Sequence, residues 1–219
     1  MEEILPPFVR DSAMFRQAAK FAWGRHIDHL ADFRKRAPML SAAEYEALYR
    51  EHPRVHDDTD NSTACIEKIS ANILGNSVCD VGCGTGHLLR MIRKHQGDKV
   101  ARYVGVDFVI PDHFSPEGLE FVEAPIEKLP FKDGEFDTVV CTHVIEHILD
   151  YRAAIAELRR ITKRRLMIVV PREREAIYTF NPHFNFFPYK HSFLRAMIPL
   201  KEKFDCVDVG RDIYYHEDM

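Results

Sequence analysis

Apolar positions recur in two different rhythms along this chain, and the rhythm changes near residue 77. Before it the spacing is helical. Ser12 suits an N-cap, and Phe15, Ala19, Ala22, Trp23, Ile27, Leu30 and Phe33 follow at steps of three to four until Pro38 ends the run. Ser41 and Glu44 form a capping-box pattern that opens a short helix through Tyr45, Leu48 and Tyr49. Residues 52–61 are polar and read as a loop. Ser62 then starts a helix carrying Ile66, Ile69 and Ile73, with Gly75 where a C-terminal glycine cap belongs.

From residue 77 short β-branched runs alternate with helical segments. Strands are expected at 77–81, 103–107, 119–123, 138–141, 166–170 and 204–209, and helices at 86–95, 151–161 and 191–200. Such alternation predicts an α/β fold, a mostly parallel sheet covered on both faces. The expected organisation is an N-terminal helical cap over residues 1–75 and a sheet-bearing core over 76–219.

Composition narrows the class of protein. At 46% hydrophobic and 29% charged, 219 residues suit one substantial core. A net charge of −4 gives no basic footprint for nucleic acid. No apolar stretch approaches membrane-spanning length, and none resembles a signal peptide. Cys65, Cys79, Cys83, Cys141 and Cys206 include no C-x-x-C pair, which suits a reducing cytoplasm rather than a zinc or disulfide framework. Asp57, Asp58, Asp60 and the nearby histidines show no diagnostic ligand spacing, and no metal is expected.

Chemistry concentrates in the segment from Val78 to Leu89, where a buried strand runs into Gly82, Gly84 and Gly86 and then a helix. That layout places a ligand at the carboxyl end of the strand. A dinucleotide fingerprint would need its third glycine at position 87, which is histidine, and Asp80 would repel a pyrophosphate. A ligand with a cationic end and no phosphate fits better. Val104 to Asp107 end the second strand with an acid 21 residues beyond Gly86, suited to accept from both hydroxyls of a ribose.

Asp80, Gly82, Gly84 and Gly86 match the D-x-G-x-G-x-G motif of class I S-adenosylmethionine-dependent methyltransferases, which the chain resembles from residue 77 to about 170. The segment Ala124 to Phe131 resembles that family's D-A-x-x-L-P-F motif, with Pro125 in place of the usual acid. Phe136 to His147 resembles its strand-four motif. The resemblance implies a Rossmann-like, doubly wound sheet and S-adenosylmethionine as cofactor. It places Asp80, Gly82, Cys83, Gly84, Gly86, Asp107, Phe108, Ile126, Glu127, Thr142 and His143 around that cofactor. It also expects an antiparallel seventh strand, for which Ile213–His216 offers a short candidate after a turn at Arg211 and Asp212; the alternative is that the strand is missing.

The acceptor side is less determined. Glu146 and His147 follow strand four, with His147 one helical turn from His143, and either could act in catalysis or simply hydrogen-bond. The stretch 178–191 is unusually aromatic and could wall an acceptor pocket, with His183 or His191 as a base, or else form a lid or an oligomer contact. Tyr49, His52, Arg54 and His56 are candidates to orient an acceptor. The expectation is methyl transfer to a small molecule such as a sugar, glycan, quinone or polyketide-like acceptor. No nucleic acid and no membrane are expected as partners, and a homodimer stays open. A non-catalytic scaffold or activating subunit of the same fold is the alternative.

Overall fold

The structure is a computed structural model and describes residues 6–23, 33–41, 43–45, 47, 59–110, 118–175 and 182–219. Seven strands form one sheet: β1 (Ser77–Val81), β2 (Arg102–Asp107), β3 (Glu120–Glu123), β4 (Phe136–Thr142), β5 (Thr162–Pro171), β6 (Phe204–Val209) and β7 (Asp212–Asp218), in the order β3-β2-β1-β4-β5-β7-β6. The first five pair in parallel, while β7 runs antiparallel to both β5 and β6. Order reverses between β1 and β4, so the crevice beyond their carboxyl ends is the place for a ligand.

Helices bounded within the described residues are α1 (Pro7–Arg10), α2 (Ala13–Trp23), α3 (Phe33–Arg36), α4 (Thr63–Ala71), α5 (His87–Gln96), α6 (Tyr151–Ile161) and α7 (Lys190–Ala196). Alternation along the strands feeds two cores. Val78, Val140, Met167, Val169 and Tyr214 face Cys65 and Ile69 of α4 and Leu88, Leu89 and Ile92 of α5. Cys79, Val81, Val139, Cys141, Leu166, Ile168, Val170 and Tyr215 face Ala154, Ile155, Leu158 and Ile161 of α6. Both faces are covered, which is why these strands read as nearly unbroken apolar runs. Thus α4, read from the sequence with the N-terminal zone, packs on the sheet beside α5.

Several expectations change in detail. The seventh strand is full length, seven residues, and pairs with β5 from Arg165–Asp218 to Pro171–Asp212. Helix α4 ends at Ala71 with Asn72 as C-cap, so Gly75 is no helix cap. It turns the chain into β1 with a φ of +74°, packed so closely on Asp137 that a Cβ would meet that side chain. Helix α7 stops at Ala196 rather than Leu200, because Pro199 disfavours helical backbone at Ile198 and cannot continue the ladder. The expected caps at Ser41 and Ser62 form: Ser41 N–H donates to Glu44 Oε2 at 2.8 Å, and Cys65 N–H donates to Ser62 Oγ at 3.3 Å.

The far end of β7 is held by one buried ion pair. Glu217 is fully buried, and Arg159 of α6 donates through Nε and Nη2 to its two oxygens at 2.6 and 2.8 Å. Tyr215 Oη adds a third bond at 2.8 Å. Removing the arginine would strand a buried carboxylate. Arg159→Met is expected to cost about 3–5 kcal/mol of stability, measured by urea denaturation. A loss below about 1 kcal/mol would show that Glu217 finds other donors.

Candidate functional site

The carboxyl ends of β2, β1 and β4 lie side by side where the strand order reverses, the place where such sheets take ligands. Loop residues Gly82, Gly84 and Gly86 all have positive φ, between 57° and 80°. At Gly82 a Cβ would lie 2.0 Å from Cγ2 of Val144. Glycine is therefore required both by backbone conformation and by the turn packed behind it. The N–H groups of Gly82 and Cys83 donate to the Val106 carbonyl of β2 at 2.7 and 3.0 Å, and Gly84 N–H donates to Asp107 Oδ2 at 2.7 Å. Cys83 is buried filler against Gly105, where a Cβ would approach its sulfur at 2.8 Å.

Asp80 is buried, and neither carboxylate oxygen has a hydrogen-bond partner. Burial and the nearby Asp107 push its pKa up to about 7. A carboxylate kept this way lacks a cationic or donor partner. Phe108 and Thr142 border the crevice, and Thr142 Oγ1 accepts from Asn61 Nδ2 at 2.9 Å. Ile126 is buried in the core beside α6, while Glu127 faces solvent. At Pro125 no side-chain donor or acceptor is available.

A second cluster sits after β4. His143 adopts the left-handed conformation, φ 55°, and Ile145–His147 form a 3-10 turn. The expected helical turn linking His143 and His147 is therefore replaced by a sharper bend, yet both imidazoles stay beside Glu146. His143 Nδ1 lies 3.6 Å from Glu146 Oε1, and its Nε2 lies 3.8 Å from Asp212 Oδ1 at the start of β7. Burial works against the charge on His143, but Glu146, Asp212 and Asp60 outweigh it and raise its pKa. Glu146 is fully buried; burial opposes its ionisation, while His143 and the other imidazoles hold its pKa below the usual range. Burial keeps His147 neutral more readily than usual.

The aromatic segment folds back over this turn. Phe184 and Asn185 N–H groups donate to the Glu146 carbonyl at 2.7 and 3.1 Å. Asn185 Nδ2 donates to the carbonyls of Ile145 and Ile148 at 2.9 and 2.7 Å. His183 thereby stands against His147, ring centroids 4.6 Å apart, and its Nδ1 meets Glu173 Oε2 at 2.6 Å. Tyr45 Oη donates to the His147 carbonyl at 2.7 Å, bringing the N-terminal zone to the same place.

Of the sequence candidates, His143, Glu146, His147 and His183 are brought together. His191 is not: it is exposed on α7 and stacks on Tyr189 at 5.2 Å. Phe187 packs into the core against Phe193 and does not line the crevice. Tyr49, His52, Arg54, His56, Asp57, Asp58, Tyr178 and Phe180 lie outside the described residues. Sequence reasoning missed Asn61, Glu173, Asn185 and Asp212. Each is an ordinary polar residue whose partner lies far away in sequence, and no local pattern marks it.

Residues 79–170 match the family model described as "Methyltransferase domain". Among curated proteins, the tRNA U34 carboxymethyltransferase of Campylobacter curvus is 32% identical over 93 residues, 40% of this chain and 31% of that one. The 2-phytyl-1,4-naphtoquinone methyltransferase of Nostoc punctiforme is 27% identical over 164 residues, 66% of this chain and 68% of that one. The chain spans about a third to a half of the length of several curated relatives it matches. A S-adenosylmethionine-dependent methyltransferase from Aquifex aeolicus shares the fold, with a TM-score of 0.54 at 17% identity, covering 78% of this chain and 97% of that one. The crevice fits S-adenosylmethionine: the unpartnered carboxylate of Asp80 suits its ammonium, and the tight glycine backbone admits a ligand closely.

The unpartnered Asp80 has a measurable consequence for the cofactor-free protein. Its folded pKa of about 7 exceeds the unfolded value of about 3.9. The folded state thus binds more protons between these values, and its stability falls as pH rises from about 4 to about 7, then levels. Urea midpoints compared between wild type and Asp80→Asn should show a difference that grows over this window in favour of the asparagine variant. A difference independent of pH would contradict the raised pKa.

Proposed function

We propose that this chain, which carries a class I S-adenosylmethionine-dependent methyltransferase domain, methylates a small polar acceptor held between the turn after β4 and the aromatic segment before α7. The observation that carries this reading is that two clusters adjoin where β1 and β4 leave the sheet, with Gly82 packed against Val144. A buried carboxylate and a glycine loop lie on one side, and a cluster of imidazoles and acids under half-buried aromatics lies on the other. When bound, S-adenosylmethionine supplies a methyl on a sulfonium, a good leaving group for in-line displacement.

The chain's residues then have separable tasks. Asp107 ends β2 where a ribose diol would exchange for the Gly84 N–H. Asp80 offers its charge to the ammonium. Gly82, Cys83, Gly84 and Gly86 shape the loop, and Phe108, Thr142 and His143 border the cofactor's length, with only backbone of the Ile126–Glu127 segment left to meet the adenine. Glu146, His147 and His183 face the acceptor, where a hydroxyl would be deprotonated. Tyr45 and Asn61 reach over from the N-terminal side, Tyr45 onto the His147 carbonyl and Asn61 onto Thr142. Holding both reactants aligned and dry is worth up to about 7–11 kcal/mol of barrier.

A small acceptor, of the sugar, glycan, quinone or polyketide-like kind, is favoured over nucleic acid by the mild negative charge and the aromatic walls. The naphtoquinone methyltransferase relative supports the same direction, while the tRNA-acting relative names the competing class. No helix among the described residues is long and apolar enough to cross a membrane.

Asp107→Ala should weaken S-adenosylmethionine binding by about 1.5–3 kcal/mol in calorimetry, because hydrogen bonds to a charged group are lost. Unchanged affinity in a folded variant would remove Asp107 from the site. Phe186 is half-buried in the aromatic segment, and Phe186→Ala should impair turnover of the acceptor, found by screening small hydroxylated compounds, while cofactor affinity changes less than about threefold. Wild-type turnover would rule out the aromatic wall.

A further inference from the structure

We propose that Glu146, His147 and His183 form a binding site for a divalent first-row transition-metal ion, of the zinc, manganese, iron or cobalt kind. One ligand atom from each of the three lies within 4.8 Å of the others. Ligands at about 2.0–2.1 Å from a tetrahedral ion stand about 3.4 Å apart, so small side-chain rotations close the set. Two imidazoles and one carboxylate, leaving further positions open, is a donor set for such ions rather than for magnesium or calcium, which prefer oxygen.

The surroundings are arranged as a metal site's outer partners are. His183 Nδ1 lies 2.6 Å from the carboxylate of Glu173. His147 Nδ1 lies 3.1 Å from the Pro182 carbonyl, which can only accept. Both contacts place the ring proton on Nδ1 and leave the lone pair on Nε2. Carboxylate or carbonyl tethers of this kind orient metal-binding histidines and raise their basicity. His143 alone leaves Glu146 with lone pairs to spare. Glu146 is fully buried, neither oxygen has a hydrogen-bond partner, and its nearest cationic neighbour, His143, stays at 3.6 Å. A buried carboxylate with spare lone pairs is costly unless something cationic joins it. Backbone bonds from Phe184 and Asn185 to the Glu146 carbonyl fix His183 over the turn, so the three ligands from two distant segments are held together.

The role of the ion rests on the function proposed above; its binding does not. Open positions beside the crevice suit an acceptor hydroxyl, which a divalent cation makes acidic enough to lose its proton to water. The oxygen then forms the bond to the methyl carbon as the carbon–sulfur bond breaks, its electron pair leaving on sulfur. This narrows the acceptor to one with an oxygen nucleophile.

The test uses the whole chain, stripped with chelator, and titrated with Co²⁺ and Zn²⁺. One equivalent of Co²⁺ should give a visible d–d spectrum, which Zn²⁺ then displaces. His183→Ala and Glu146→Gln should each weaken binding at least tenfold, Glu173→Gln about 10–100-fold, and His191→Ala not at all. Should Glu146→Gln fail to fold by its thermal melt, the half-buried His183 and Glu173 variants decide. Absence of a spectrum, or binding unchanged in His183→Ala, overturns the site. Calorimetry with S-adenosylmethionine on the same stripped protein tests the cofactor reading separately. Cofactor binding without metal uptake refutes this inference alone, and metal uptake without cofactor binding refutes the function alone.

Discussion

The contact between Gly82 and Val144 is the constraint on which the rest of the site depends. β1 and β4 are adjacent parallel strands, and their registered pairing from Val78–Thr138 to Val81–Cys141 makes the two chains leave the sheet side by side. There the loop backbone presses on the Val144 side chain with no room for a Cβ. The glycine loop and the turn bearing Glu146 and His147 are thereby packed directly against each other. A side chain at position 82 would displace Val144 and with it the turn that carries Glu146 and His147.

Electrostatics divide the crevice in a complementary way. Burial, with Asp107 nearby, raises the pKa of Asp80, which is tolerable because the expected ligand brings positive charge. Across the crevice, His143 is drawn toward its protonated form by Glu146, Asp212 and Asp60, while His147 is pushed toward neutrality by burial. Two histidines four residues apart thus hold opposite protonation tendencies. The difference comes from the acids beside His143 and the dry, carbonyl-facing position of His147.

Much of the core was legible in the sequence, for a physical reason. The bounds of β1, β6 and α6 agree with expectation because each is delimited by turn or capping residues and filled by one clear periodicity. β5 and β4 extend beyond their apolar centres, since pairing continues through polar residues such as Arg165 that have partners across the ladder. Glycine loop and acids were readable because their spacing is local. The acceptor side was not, because Glu173 with His183, Asn185 with Ile145 and Asp212 with His143 join residues 10, 40 and 69 positions apart. Phe187 illustrates the reverse error: an aromatic in an aromatic run looks like a pocket wall until its neighbour Phe193 shows it to be core.

The place of β7 also bears on how the protein is made. It does not sit at the edge but is inserted between β5 and β6, and its Asp212 approaches His143. During synthesis β5 must wait, with one ladder of backbone groups unpaired, until residues up to Asp218 have left the ribosome. An exposed strand edge of this kind invites pairing with other chains. The nascent protein therefore carries an open edge on β5 while the 40 residues between Pro171 and Asp212 are made, and a chaperone that shields β5 over that interval would raise folding yield.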